Sequence, residues 1–155
     1  MDPASSKVIA CDACGKKNRV PAAASGTPKC GNCGAAVAWI ADADDASFGD
    51  VVDRAKLPVL LDLWAPWCGP CRMVSPALES LAHSNAGKVK LVKVNVDEAP
   101  QISQRFQAQS IPMLVVLNDG KPIDTQIGAA SEGALRVWLA RCLATITARA
   151  AKSGA

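Results

Sequence analysis

The five residues Trp67-Cys68-Gly69-Pro70-Cys71 set two thiols two residues apart, after an apolar run and before a helix-like pattern. A cysteine at a helix N-terminus meets unpaired backbone N–H groups and the positive end of the helix dipole. Both stabilise the thiolate, the nucleophilic form. Cys68 is therefore the candidate attacking thiol. Cys71 falls about one turn further on and on the same side, where it can attack a mixed disulfide formed at Cys68. Gly69 lets the chain turn tightly. Pro70 suits the first helical turn because it gives up no helical hydrogen bond there. Trp67 can shield the sulfur from one side. A Cys-x-x-Cys pair at a strand-to-helix junction is a specific redox signal; half a metal site or two inert core thiols are the bland alternatives.

Three further residues bear on this chemistry. Asp62 interrupts an apolar run six residues before Cys68. Burial would raise its pKa, and a carboxyl poised near neutrality can take the proton from Cys71 during resolution; a structural aspartate bonded to backbone is the alternative. Lys93 can reach Asp62 and tune it, or can be solvated. Pro112 follows Ile111 at the start of a strand. A cis bond there would expose a backbone edge for a substrate segment, whereas an ordinary trans proline would not.

The elements that must position these groups read as follows. Residues 35–41 and 57–65 are strands, the second apolar on both alternating faces and so covered on both sides. Residues 44–55 read as a short helix with Asp44 or Asp45 as its cap. Residues 70–84 follow helical spacing through Met73, Val74, Ala77, Leu78 and Leu81, with Pro76 expected to kink the helix. Residues 88–97 form a β-branched strand and 99–106 a short helix. Residues 112–128 form a hairpin around Asp119-Gly120. A last helix starts near Ser131 and buries Leu135, Trp138, Leu139, Cys142, Leu143 and Ile146. His83 reads as a solvated or capping residue at a helix end. The tail from Ala148 should fray. This order predicts an α/β fold, a central mixed sheet with helices on both faces.

Ahead of that unit, Cys11-x-x-Cys14 and Cys30-x-x-Cys33 enclose a loop of small, turn-forming residues. The spacing is that of a four-thiolate zinc site. Two disulfides or an iron–sulfur cluster are the alternatives. Lys7, Lys16, Lys17, Arg19 and Lys29 against Asp2 and Asp12 give residues 1–34 a charge of +3, the whole excess of the chain. Four thiolates on Zn²⁺ carry −2, so the basic residues have a local role without any nucleic acid. A head this small has little core, and a metal can supply its folding free energy.

The longest apolar run, IPMLVVL, is too short to span a membrane. The N-terminal residues show no secretory pattern, so the cytosol is the expected compartment, where cysteines serve metals or catalysis.

PVLLDLWAPWCGPC, the KVNVD strand end, SIP at 110–112, NDG and Gly128 together resemble the thioredoxin family over roughly residues 37–148. With the two knuckles in front, the chain is similar to the zinc-containing second thioredoxin class of bacteria. The resemblance implies a thioredoxin domain at 37–150, a zinc-ribbon head at 1–36 and a frayed tail at 151–155. It implies Cys68 as attacking thiolate, Cys71 as resolving thiol, Asp62 as proton-transfer residue, Lys93 as its neighbour and Pro112 as a cis proline. Trp67, Gly69, Pro70, Ile111, Pro112 and Gly128 would form the substrate surface, and Cys11, Cys14, Cys30 and Cys33 would hold one zinc, with no organic cofactor. Expected partners are disulfide-containing proteins and an NADPH-dependent thioredoxin reductase, for a monomer that binds neither nucleic acid nor membrane. Met113 stands where threonine is common in the family, which bears on substrate preference. The competing readings are a zinc-dependent partner-binding or chaperone module with secondary redox activity, and a zinc-ribbon nucleic-acid binder.

Overall fold

A computed structural model describes residues 6–153. Strand β4 (Val59–Trp64) runs through its centre, buried from Val59 to Leu63. It pairs in parallel with β5 (Lys90–Asn95) and antiparallel with β6 (Met113–Asn118). Strand β3 (Trp39–Asp42) adds in parallel to β5, and β7 (Lys121–Ile127) antiparallel to β6. The sheet order is β3-β5-β4-β6-β7. The β6–β7 hairpin turns at Asp119 and Gly120, with φ of 53° and 75°. Two successive left-handed residues suit the twist of a tight hairpin, and Asp-Gly tolerates them.

Alternation sorts each strand into two faces. Leu60, Leu91, Leu114 and Val116 join Val74, Leu78 and Leu81 of helix α1 (Gly69–Ser84) and Leu135, Trp138 and Leu139 of α3 (Glu132–Ser153). Leu61, Leu63, Val92 and Val115 join Phe48, Val51 and Val52, together with Ile102 of α2 (Pro100–Arg105), on the other face. The same parity puts Asp62 with Leu60, and Lys93 with Leu91, on the α1 side.

The head is a small antiparallel pair, β1 (Lys7–Ala10) and β2 (Lys17–Val20). It does not enclose a core of its own. Ile9, Cys11, Val20 and Cys30 belong to the same apolar cluster as Trp39, Leu78 and Leu81. Polar contacts fasten the seam: the Trp39 indole N–H donates to the Pro21 carbonyl at 2.9 Å, and Lys7 pairs with Asp42 at 2.9 Å.

Four local expectations need correction. The helix expected over 44–55 is a run of turns ending in one π-helical turn, Gly49–Asp53. Asp44 does cap it, accepting the Ser47 N–H at 2.9 Å, but Asp45 accepts the N–H groups of Gln101 and Ile102 and so caps α2 instead. Met73 lies on the outer side of α1, 79% exposed, because Cys71, Val74 and Leu78 take the sheet-facing positions. Residues 148–153, including 151–153 of the expected frayed tail, continue α3 as helix; their alanines favour it. Residues 154–155 lie outside the described residues. His83, finally, is half-exposed but not free in solvent: its Nδ1 lies 2.9 Å from an Asp12 carboxylate oxygen in the head.

Candidate active site and metal centre

Chain leaving the buried end of β4 turns through Ala65–Trp67 and enters α1 at once. Cys68 takes the N-cap position, with extended backbone, and Pro70 occupies the first turn. Cys68 and Cys71 form a disulfide with their Cα atoms 5.3 Å apart. The Cys71 N–H donates to Cys68 Sγ at 3.2 Å, one of the orphan donors of the helix start aimed at the sulfur. Both cysteines are enclosed, 4% and 2% exposed, against Ala65 with Trp64, Val96 and Ile111 around them. In the reduced form the same amide and helix end favour negative charge on Cys68 rather than on Cys71.

The expected flanking residues converge here. The Ile111–Pro112 bond is cis, and Cys68 Sγ lies 3.8 Å from the Ile111 carbonyl oxygen. The Pro112 carbonyl accepts the Gly128 N–H at 2.9 Å, tying the two loops together. Gly128 has φ of 89°, so a side chain there would strain the backbone even though space is free. Gly69 and Pro70 lie beside them at the head of α1. Trp67 is 68% exposed, its indole N–H held by Asp97 at 2.9 Å. Exposed Met73 and Ile127 extend this apolar rim, and a hollow of about 310 Å³ opens between Met73, Val74, Ala129, Ala130 and Ser131. Met113, by contrast, is buried in the core on the α2 side, only 8% exposed.

Asp62 is 1% exposed, and its Oδ1 has no hydrogen-bond partner among the described residues. Burial raises its pKa from 3.8 to about 6, against a smaller opposing pull from Lys93. Lys93 stands opposite Asp62 in register on β5, but no ion pair joins them. Its ammonium instead reaches Ser75 Oγ at 2.6 Å and Glu79 at 3.7 Å. Sequence reasoning also missed Lys90, buried at the start of β5. Its ammonium donates to the Val51 carbonyl at 2.6 Å and lies 4.1 Å over the Trp39 ring. Burial lowers its pKa to about 8. KVKLVKVNVD places three lysines among apolar residues, but spacing alone does not say which is enclosed.

The thioredoxin family profile matches residues 39–141, two thirds of the chain, from the start of β3 into α3. The chain belongs to the thioredoxin family. It is similar to Thioredoxin 1 of Nostoc sp., 42% identical over 103 residues, 66% of this chain and 96% of that protein. It is similar to Thioredoxin 1 of Synechococcus elongatus, 45% identical over 91 residues, covering 59% of this chain and 85% of the relative. It is also similar to the thioredoxin of Haemophilus influenzae, 49% identical over 86 residues, covering 56% and 80%. The protein is thus a thiol–disulfide oxidoreductase, with the Cys68–Cys71 disulfide at its reactive end. Among the described residues no helix is long and apolar enough to cross a membrane.

The matched region starts at Trp39, so the four leading cysteines fall outside it. Their sulfurs all lie within 4.8 Å of one another. Cys11 and Cys33 are 3.7 Å apart, and Cys14 and Cys30 3.6 Å. Sulfurs about 2.3 Å from a shared tetrahedral centre would be about 3.8 Å apart, so the set fits a four-thiolate metal ion. Each knuckle closes the same way. Gly15 and Gly34, with φ of 81° and 79°, donate to the carbonyls of Cys11 and Cys30. In the metal-free cluster the amides of Cys33 and Asn32 pull the Cys30 pKa down to about 6. At Cys33 the downward pull of the Ala35 amide is outweighed by contacts with the Cys11 and Cys14 thiols, which push its pKa up to about 11, so charge gathers first on Cys30.

Asp62 has a consequence for stability. Its folded pKa exceeds its unfolded one, so the folded state binds the extra proton between about pH 4 and 6, and stability falls as pH rises through that window. Asp62→Asn should stabilise the oxidised protein at pH 7 by up to about 3 kcal/mol, an advantage that vanishes near pH 4. Urea unfolding at both pH values measures it; an equal effect at the two would contradict the buried-carboxyl account.

Proposed function

We propose that this protein reduces disulfides in other proteins, using Cys68 as nucleophile and Cys71 as resolving thiol. The observation that carries the reading is the helix-capping Cys68 sulfur, which accepts the Cys71 amide beside the cis Ile111–Pro112 edge. The Cys68 thiolate attacks one sulfur of the substrate disulfide, forms a mixed disulfide and expels the other as thiolate. Cys71 then yields its proton to the Asp62 carboxylate and attacks Cys68 Sγ. The substrate leaves with two electrons, and the Cys68–Cys71 disulfide remains. A group with a pKa near 6 is mostly ionised at pH 7 yet basic enough to accept that proton. Trp67, Gly69, Pro70, Ile111, Pro112 and Gly128 supply the docking surface, where a substrate segment lies along the exposed backbone edge. An NADPH-dependent thioredoxin reductase returns the disulfide to the dithiol in the cytoplasm. In a Cys71→Ser variant the mixed disulfide cannot resolve. Insulin should then accumulate as a covalent adduct at Cys68, visible by non-reducing mass spectrometry. Adducts that form equally well in Cys68→Ser/Cys71→Ser would overturn the assignment.

The head holds one zinc ion through Cys11, Cys14, Cys30 and Cys33. Bound there, zinc supplies folding free energy to a segment with little core of its own. Oxidation of the ligands would release it and open both knuckles. Cys11 and Cys30 pack in the same cluster as Val74, Leu78 and Leu81, beneath the helix that carries the dithiol. Zinc release under oxidant is therefore expected to change the reductase rate. Insulin reduction by zinc-loaded and chelator-treated protein, each before and after hydrogen peroxide, tests this; four identical rates would remove any regulatory role.

A further inference from the structure

Lys93 is drawn toward the helix, not toward Asp62. Ser75 and Glu79 stand four residues apart on α1 and so share a face, and Ser75 itself follows Cys71 by four. Both hold the Lys93 ammonium, Ser75 at 2.6 Å and Glu79 at 3.7 Å. Asp62 Oδ1 finds no partner among the described residues although Lys93 is its register partner. Beside Asp62, β6 contributes Leu114, β5 contributes Lys93, and α1 brings Cys71, Ser75 and Glu79 to that side of the sheet. Burial has the larger, upward effect on the Asp62 pKa; of these groups, the Lys93 charge pulls it down.

We propose that Ser75 is a positioning residue for the dithiol chemistry: with Glu79 it holds the Lys93 ammonium against α1, so that Asp62 stays an unpaired proton acceptor for Cys71. This rests on the reading of Asp62 as that acceptor. Without the hydroxyl, and more so without the Glu79 charge, the ammonium turns to the nearest uncompensated anion. The attraction grows as the separation shrinks. Asp62 then becomes half of an ion pair and a poorer base.

The test is an NMR titration of the Asp62 carboxyl carbon in the oxidised, ¹³C-aspartate-labelled protein, alongside the pH profile of mixed-disulfide resolution. In Ser75→Ala/Glu79→Gln the carboxyl should titrate about one pH unit lower, an opposite charge at short range being enough for that. The acid limb of the resolution profile should move with it. Glu79→Gln alone, at a half-exposed position, should shift it in the same direction by less. Ser75→Thr keeps a hydroxyl and should keep the wild-type titration. Lys93→Met should move it the opposite way. An unchanged titration in the double variant, or an equal shift in Ser75→Thr, overturns the proposal. If Asp62→Asn leaves the resolution profile intact, the reading of Asp62 fails instead. A merely structural role for Ser75 would lower the melting temperature without moving the carboxyl.

Discussion

A strand covered on both faces has no side turned to water, and β4 is such a strand. Every polar group on it is held against a desolvation penalty, and any chain leaving it must reach the surface within a few residues. Both consequences appear at one end. Asp62 stays enclosed with an oxygen unpartnered, which raises its pKa. Four residues after Trp64 the chain has become the N-cap of α1. The covered strand thus fixes a helix start, a pair of thiols and a poised carboxyl within ten residues of chain, from Asp62 to Cys71. The rest of the sheet keeps that strand dry: β5 and β6 flank it, and two apolar clusters close its faces.

Helix α1 then joins the two sulfur centres of the molecule. Its first turn carries Cys68 and Cys71; its last carries His83, hydrogen-bonded to Asp12 between the first two cysteines of the head. Sixteen residues of helix span about 24 Å, too far for direct electronic influence, but the helix runs unbroken through Pro76 from one centre to the other. Its buried side shares one apolar cluster with Cys11 and Cys30 as well as with the sheet. The head is therefore continuous with the oxidoreductase core. That continuity is the physical basis for supposing that the state of the four thiolates matters to the dithiol.

Most of this fold was legible because its signals are local and mutually consistent. The 57–65 run, apolar but for Asp62, the β-branched 88–97 run and the Asp119-Gly120 turn each demand one structure. The two Cys-x-x-Cys knuckles and the strand-to-helix dithiol read equally well, since spacing alone brings their sulfurs together. What escaped depends on contacts far apart in the chain. Asp45 caps a helix more than fifty residues away. His83 meets Asp12 across 71 residues. Ser75 acquires meaning only when β5 brings Lys93 beneath α1. Met73 and Met113 show the limit of pattern reading: one has helical core spacing and is exposed, the other follows Pro112 and is buried. Roles follow from parity and packing that no short window contains.

With the helix start and the Cys71 amide both aimed at Cys68, negative charge is favoured there and the two thiols should be unequal. The most direct measurement is the pH dependence of iodoacetamide alkylation of the zinc-loaded, fully reduced protein, with the modified cysteine located by peptide mass spectrometry. The account predicts alkylation at Cys68 alone, rising with an apparent pKa below the roughly 8.5 of a free thiol, and Cys71 modified only at higher pH. Equal labelling of both thiols, or labelling that starts at Cys71, would contradict it.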